Sequence, residues 1–435
     1  MILASAGGAS RAAFFTVSVV GDILDDGQVD LRRRLFAISG VSGGSVGAAV
    51  IRAALDDAGL DGRAPCQRVG RSWFRFHDDL TPPYSWRVCL QALTAGDFLS
   101  RPFIGLAFRD LFGFPLHLFG MSDRAALLEN AFEDQYRYLI DPDRRADSGL
   151  TRAVGEFPHG KERWVPLLAL NTTSVLDGRR SIVSDLLTFW CDGSKAVPFF
   201  PAAVDLFETL GATRTCADGK PVPDASTPAV RLSSGATASA RFPVISPYAG
   251  IRNRQGEVDL VVDGGYFEND GLTSARQLAE AMHTVQPDLP RPVILHVTNN
   301  PTSESIGDPD VAPRSPRDPK WYDAYIAPLA ALVETRDGHA AEAFKAAQES
   351  PVVEKVLSFQ VYDVVPSRGA ARACSLSRAQ DLGAEGGPVE RIKDLSMSWW
   401  LSGAVQAYLD SQVCNRANVD RYKDLVRLVG AGERK

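Results

Sequence analysis

Ile38-Ser39-Gly40-Val41-Ser42-Gly43-Gly44-Ser45 is the stretch whose reading decides the fold of this 435-residue chain. It follows a short apolar run, Leu35-Phe36-Ala37-Ile38, that reads as a buried strand, and it precedes Val46 to Leu55, which reads as a helix. A serine inside Gly-x-Ser-x-Gly between a strand and a helix has the arrangement of a nucleophile elbow. Gly40, Gly43 and Gly44 matter sterically, because so sharp a turn leaves no room for side chains and the serine must stand at its tip. The following helix points its N-terminus at Ser42, where free N–H groups and the dipole favour developing negative charge.

Upstream, Met1-Ile2-Leu3-Ala4 forms a first strand and Ser5 to Arg11 a glycine turn. Residues 12–24 form a helix that is apolar on most sides (Phe14, Phe15, Val17, Val19, Val20, Ile23, Leu24) and therefore packs against a sheet. Strand, turn and helix thus occur twice in the first sixty residues, the signature of a parallel sheet with crossover helices. A central strand as short as residues 1–4 leads us to expect further residues upstream, where an anchor or leader would sit.

Downstream, residues 64–160 are aromatic-rich and repeatedly broken by Gly and Pro. They read as a helical insertion in a single domain spanning 1–435. Two readings of this insertion stand side by side: a small core of its own, or an apolar cap over the serine that lines an acyl site or touches a membrane surface. Strands are expected at Val165 to Thr173, Ser181 to Ser184, Asp259 to Asp263, Pro292 to Val297 and 356–364. Helices are expected at Thr237 to Pro243, Leu272 to His283, 323–348 and 397–413, with loops at 211–227 and 299–320.

Composition narrows the function classes. The chain is 45% hydrophobic and 23% charged, with a net charge of −6 and dispersed Lys and Arg, which argues against nucleic-acid binding. Arg32-Arg33-Arg34, the densest basic run, reads as a solvated helix end. The six cysteines (66, 89, 191, 216, 374 and 414) show no Cys-x-x-Cys pair and no histidine at ligand spacing. They are expected to be reduced and mostly buried thiols in a cytosolic protein, and neither a zinc site nor another metal site is implied. No signal peptide and no apolar run of transmembrane length is visible, so a cytoplasmic or peripheral-membrane location is expected.

A serine hydroxyl is a poor nucleophile until a base takes its proton. Downstream of the acid-bearing strand the histidine candidates are His283, His296 and His339, two in helices and one in a strand, none in a glycine-rich loop. The other candidate is Asp263 itself, at a strand's C-terminal end, followed by Gly264 and Gly265, which allow close approach. Aspartate is a weak base, so it serves only where the oxyanion is well stabilised. Gly7-Gly8-Ala9 would aim successive backbone N–H groups into a concavity, as anion-binding nests do.

These three motifs, in this order, resemble those of the patatin-like phospholipases. Gly7-Gly8-Ala9-Ser10-Arg11 is similar to the family's glycine-rich oxyanion turn, Gly40 to Gly44 to its elbow, and Asp263-Gly264-Gly265 to its Asp-Gly-Gly, with Ala238-Ser239 similar to its Ala-Ser segment. The resemblance implies a three-layer α/β/α sandwich with a mostly parallel central sheet. It implies a lipid acyl hydrolase acting through a Ser42–Asp263 dyad and an acyl-enzyme. It further implies oxyanion contacts from Gly7, Gly8 and Ala9, a bracing role for Arg11, a membrane phospholipid or other acyl-ester lipid as partner, and no metal or organic cofactor. Ala9 departs from the family's third glycine and puts a Cβ where φ is expected to be positive. A transacylase, and a catalytically silent lipid-binding or interaction module, share these features.

Overall fold

The computed structural model describes residues 1–69, 82–110, 124–141, 143, 148–160, 163–222, 229–241, 246–252, 258–299, 335, 338–362, 374–378 and 398–432. Its strands are β1 (Ile2–Ser5), β2 (Ala37–Val41), β3 (Leu167–Ser174), β4 (Arg180–Ser184), β5 (Phe189–Asp192), β6 (Lys195–Pro198), β7 (Val204–Asp205), β8 (Thr215–Ala217), β9 (Lys220–Val222), β10 (Ala249–Arg252), β11 (Val258–Asp263), β12 (Val293–Thr298) and β13 (Lys355–Gln360). The helices are α1 (Ala9–Asp26), α2 (Leu31–Arg34), α3 (Gly43–Asp57), α4 (Trp86–Thr94), α5 (Ser100–Ile104), α6 (Arg124–Ile140), α7 (Leu206–Thr209), α8 (Leu232–Ser239), α9 (Leu272–Val285), α10 (338–348), α11 (Gly403–Gln412) and α12 (Arg416–Gly432).

In the main sheet β3-β2-β1-β12-β13 lie side by side, β11 (with β10 beyond it) continues past the end of β2 on the same edge of β3, and β4 and then β7 pair on the other edge. β3, β2, β1, β12 and β13 are mutually parallel, whereas β4 and β11 run antiparallel to β3. β1 and β2 are buried along their whole length, which is why their sequences are continuous apolar runs instead of alternating ones. Leu3 and Ile38 point into a core shared with α1, α3, α4, α6 and α8, while Ile2, Ala4 and Ala37 point into a second core with α9 and α10. The architecture is therefore a mixed α/β fold in three layers, with a largely parallel sheet between two helical layers.

α1 shows how the sequence produces this layering. Its Phe14, Phe15, Val17, Val19, Val20 and Ile23 are all buried, and each such side chain is worth roughly 1.5–3 kcal/mol of transfer free energy. Its end is set by Gly27, left-handed at φ 69°, whose N–H bonds the Ile23 carbonyl. Asp30 caps α2 by accepting from the Arg33 N–H, and Arg32, Arg33 and Arg34 occupy that helix's last turn. Arg87 of α4 reaches both Asp22 of α1 and Asp410 of α11, so the C-terminal helices are tied to the first layer through a buried ion pair.

Several expectations shift. β2 starts two residues later than its apolar run and extends through Gly40 and Val41, because the elbow residues pair with Leu170 and Asn171. α8 lies earlier than the helix expected at 237–243; Phe242 and Pro243 are outside the described residues. The 211–227 stretch contains the hairpin β8–β9, and α12 answers to no expected element. Of the loop expected at 299–320, residues 300–320 fall outside the described residues, as does most of the helix expected at 323–348. Within 64–160, Trp86, Phe98, Phe132 and Tyr136 join the same core as Phe14 and Phe15 instead of forming one of their own. Trp73, Phe74, Phe76, Phe112, Phe114 and Phe119 lie outside the described residues.

The reduced-thiol expectation is corrected. All six cysteines are paired, Cys66–Cys89, Cys191–Cys216 and Cys374–Cys414. The partners are 23, 25 and 40 residues apart, and each pair joins segments brought together by tertiary packing. Cys191–Cys216 links the β5–β6 and β8–β9 hairpins, and Cys374–Cys414 pins a short segment to the end of α11. Among the described residues no helix is long and apolar enough to cross a membrane, and no group of His, Cys, Asp and Glu could hold a metal ion.

Candidate active site

The site arises from how two strands share one edge of β3. β2 runs parallel to β3 as far as Val41, which is opposite Asn171. β11 comes from the other direction along the same edge and ends with Asp263 opposite Thr172. The two strand ends therefore abut head to head at consecutive registers of β3. The next residue after Val41 is Ser42, so its side chain and that of Asp263 meet although 221 residues separate them.

Ser42 has φ 52° and ψ −124°, a conformation that is costly for a residue with a side chain and typical of strain held at functional positions. Its Oγ donates to Asp263 Oδ2 at 2.6 Å, and both residues are buried. The second carboxylate oxygen, Oδ1, accepts from the Gly265 N–H at 2.8 Å, so the short 3-10 turn Gly264–Tyr266 fixes the plane of the carboxylate. Thr173 Oγ1 donates to the Asp263 carbonyl at 3.0 Å and ties the acid to β3.

The glycines serve close approach. A Cβ on Gly43 would collide with the carbonyl of Ala9, one on Gly44 with the carbonyls of Ser5 and Ala6, one on Gly40 with the backbone of Ser45, and one on Gly264 with the carbonyl of Asn171. The first glycine turn and the elbow are thus pressed against each other. A Cβ on Gly7 would stand 3.1 Å from Ser42 Cβ. α1 and α3 both begin here, capped by Gly8 and Ser42 with no side-chain hydrogen bond at either cap. Two helix N-termini thereby converge beside one hydroxyl, a favourable place for negative charge.

The first glycine turn differs in one detail from what the resemblance implies. The Gly7 N–H donates to the Asn269 carbonyl at 2.8 Å, so it is already spent inside the protein. Among the described residues no hydrogen bond is made by the N–H of Gly8, Ala9 or Gly43. Gly8 has φ 143° and Ala9 φ 51°, so Ala9 does carry its Cβ in the left-handed region. Arg11 acts on the turn through an intermediary: its Nε donates to Asn299 Oδ1 at 2.7 Å, and Asn299 Nδ2 donates to the Gly7 carbonyl at 2.8 Å.

Two of the three candidate histidines have partners elsewhere, and the third is on the surface. His296 Nδ1 lies 2.9 Å from Ser358 Oγ and its Nε2 3.6 Å from Asp270 Oδ2. His339 Nδ1 is 2.8 Å from the Phe267 carbonyl, and His283 is exposed in the last turn of α9. Asn269 lies in the run Tyr266 to Gly271 that continues the Asp-Gly-Gly resemblance, but no role was expected of it, and Asn299 carries no motif of its own and escaped the sequence reading. So did Asn171, whose only signal is a polar residue ending the apolar run Leu167–Leu170. Behind the acid turn, Glu268 is buried. Burial, and then the nearby Asp270, raise its carboxyl above the usual range, against the pull of Arg180. Arg180, itself buried, is pushed down to about 10 by desolvation, with Glu268 opposing that shift and Arg276 adding to it.

No family model and no curated protein matches the chain. Among solved structures it is similar to human GIVD cytosolic phospholipase A2 in complex with methyl gamma-linolenyl fluorophosphonate, at 12% identity and a TM-score of 0.45 over 98% of this chain and 58% of that one. It is also similar to another structure of human GIVD cytosolic phospholipase A2 (10%, TM-score 0.44, 98% and 62%) and to VipD from Legionella pneumophila (12%, TM-score 0.32, 98% and 66%). The chain spans about three fifths of the length of the human chains.

Proposed function

We propose that this chain is a serine acyl hydrolase that cleaves acyl esters of lipids through a Ser42–Asp263 dyad and an acyl-enzyme. The observation that carries the reading is the 2.6 Å hydrogen bond from Ser42 Oγ to Asp263 Oδ2 at the meeting point of two helix N-termini. Ser42 Oγ attacks the ester carbonyl while its proton passes to Asp263. The tetrahedral oxyanion is received by the uncommitted N–H groups of Gly8, Ala9 and Gly43, which are worth most in a site shielded from water. Asp263 returns the proton to the leaving alcohol. Water, deprotonated by Asp263, then attacks the acyl-serine and regenerates Ser42.

Two features support lipid as the substrate class. The ordered motifs resemble those of patatin-like phospholipases. Tyr266, the last residue of the acid turn and three residues after Asp263, is exposed, and the exposed apolar side chains Val175 and Leu176 follow the end of β3. Peripheral contact with a membrane surface follows from the same side chains. The paired cysteines favour an oxidising compartment over the cytosol.

A second reading, a catalytically silent lipid-binding module, is favoured by the left-handed Ala9 and by the loss of the Gly7 N–H to Asn269. A fluorophosphonate probe separates the two. Labelling of the wild type and none of Ser42→Ala is expected, with ester turnover falling by about a thousandfold or more in Ser42→Ala and Asp263→Asn. An unlabelled Ser42 in folded protein, or near-normal turnover in either variant, refutes the hydrolase reading.

A further inference from the structure

Ser42 and Asp263 have no covalent or sequential reason to stay in register, so something must hold both to one reference. The hydrogen bonds around the end of β3 converge on Asn171 and Ser239, both fully buried. Ser239, at the end of α8, accepts the Ser42 N–H on its Oγ at 3.0 Å. The same hydroxyl lies 2.7 Å from Ser45 Oγ and donates to the Asn171 carbonyl.

A serine hydroxyl has one hydrogen and two acceptor positions. With its hydrogen on the Asn171 carbonyl, Ser239 must accept from both Ser42 N–H and Ser45 O–H, which fixes every direction and leaves the hydroxyl saturated. The Asn171 side chain works on the same turn from behind. Its Nδ2 donates to the Gly40 carbonyl at 2.8 Å and to Ser39 Oγ at 3.1 Å, and its Oδ1 accepts from Ser274 Oγ, which in turn accepts from Arg180. The Asn171 carbonyl is also the group that a Cβ on Gly264 would strike, so the acid turn rests on the atom that holds Ser239.

We propose that Asn171 and Ser239 are positioning residues that set the Ser42–Asp263 separation, Ser239 through the nucleophile's own amide and Asn171 through the elbow carbonyl and the acid turn. A consequence is that the Ser42 N–H, committed to Ser239, is not an oxyanion donor. This inference rests on the dyad reading, and the test keeps the two apart. Turnover of p-nitrophenyl butyrate is measured for wild type, Ser239→Ala, Ser239→Thr and Asn171→Ala, and crystal structures of the same proteins report the Ser42 Oγ to Asp263 Oδ2 distance.

Ser239→Ala is expected to lower kcat at least about tenfold with KM within about twofold, since misplacing a reacting group costs rate more than binding. Its Ser42 Oγ leaves hydrogen-bond reach of Asp263, and Ser239→Thr, which keeps the hydroxyl, restores contact and most of kcat. A Ser239→Ala protein that keeps both kcat and the short contact overturns the proposal. Should Ser239→Ala not fold, Asn171→Ala carries the same two measurements. A wild type without turnover sinks the dyad reading, while the crystallographic distances still decide the positioning role.

Discussion

Gly43→Ala probes the place where the first glycine turn meets the elbow. The added Cβ would overlap the carbonyl oxygen of Ala9 and lie 2.6 Å from its carbonyl carbon and 2.7 Å from its nitrogen, against an ordinary contact of 3.4 Å or more. All of these atoms are backbone at the start of α1, so no flexible side chain can yield. Relief from the overlap with the Ala9 carbonyl oxygen requires α1 and α3 to separate by well over about 1 Å at their N-termini, in a core packed at crystal-like density. Overpacking of this kind costs roughly 1–3 kcal/mol, partly offset by the ~1 kcal/mol helix preference of Ala over Gly. The effect on rate is larger, because a displacement near 1 Å costs on the order of a hundredfold. Gly47→Ala, one turn along the same helix, is the control, since its Cβ would meet Ala13 Cα at 3.3 Å and needs only a small adjustment. Turnover of a water-soluble ester and the thermal midpoint are measured for both. Gly43→Ala is expected to lose ten- to a hundredfold in kcat, roughly, and a few degrees in Tm, with Gly47→Ala close to wild type. Equal behaviour of the two variants refutes the claim that the turn and the elbow must touch.

Two further outcomes follow from the fold. Denatured but unreduced protein is expected to show no free thiol to Ellman's reagent, and replacing the Cys374–Cys414 pair by serines, which frees a 40-residue separation, is expected to cost roughly 3–4 kcal/mol in urea unfolding; a full thiol count in the unreduced chain would contradict the pairing. Glu268 holds its proton to higher pH in the folded chain than its ordinary value of 4.5, so its stabilising contribution is complete below that value and fades as pH rises through the folded one. Urea titrations from about pH 4 to 7 should therefore show stability falling less steeply with pH in Glu268→Gln than in wild type; parallel curves would remove the role given to this carboxyl.

Some of this molecule was legible in its residues, because local structure depends on near neighbours. Apolar runs without alternation mark β1 and β2 as strands buried on both faces, and the glycines around Ser42 mark a turn too tight for side chains. The order of glycine turn, elbow and Asp-Gly-Gly pointed to the residues that the fold gathers. Contacts between distant segments are decided by strand register and packing, which no spacing rule encodes. Only the tertiary structure sets β2 and β11 end to end on β3, so that Ser42 reaches Asp263 and no histidine intervenes. Only it gives the Gly7 amide to Asn269, routes Arg11 through Asn299 and makes Asn171 and Ser239 the hub behind the elbow. It likewise joins cysteines that look unrelated along the chain, because a disulfide requires two Cα atoms within about 6 Å in space and is indifferent to the number of residues between them.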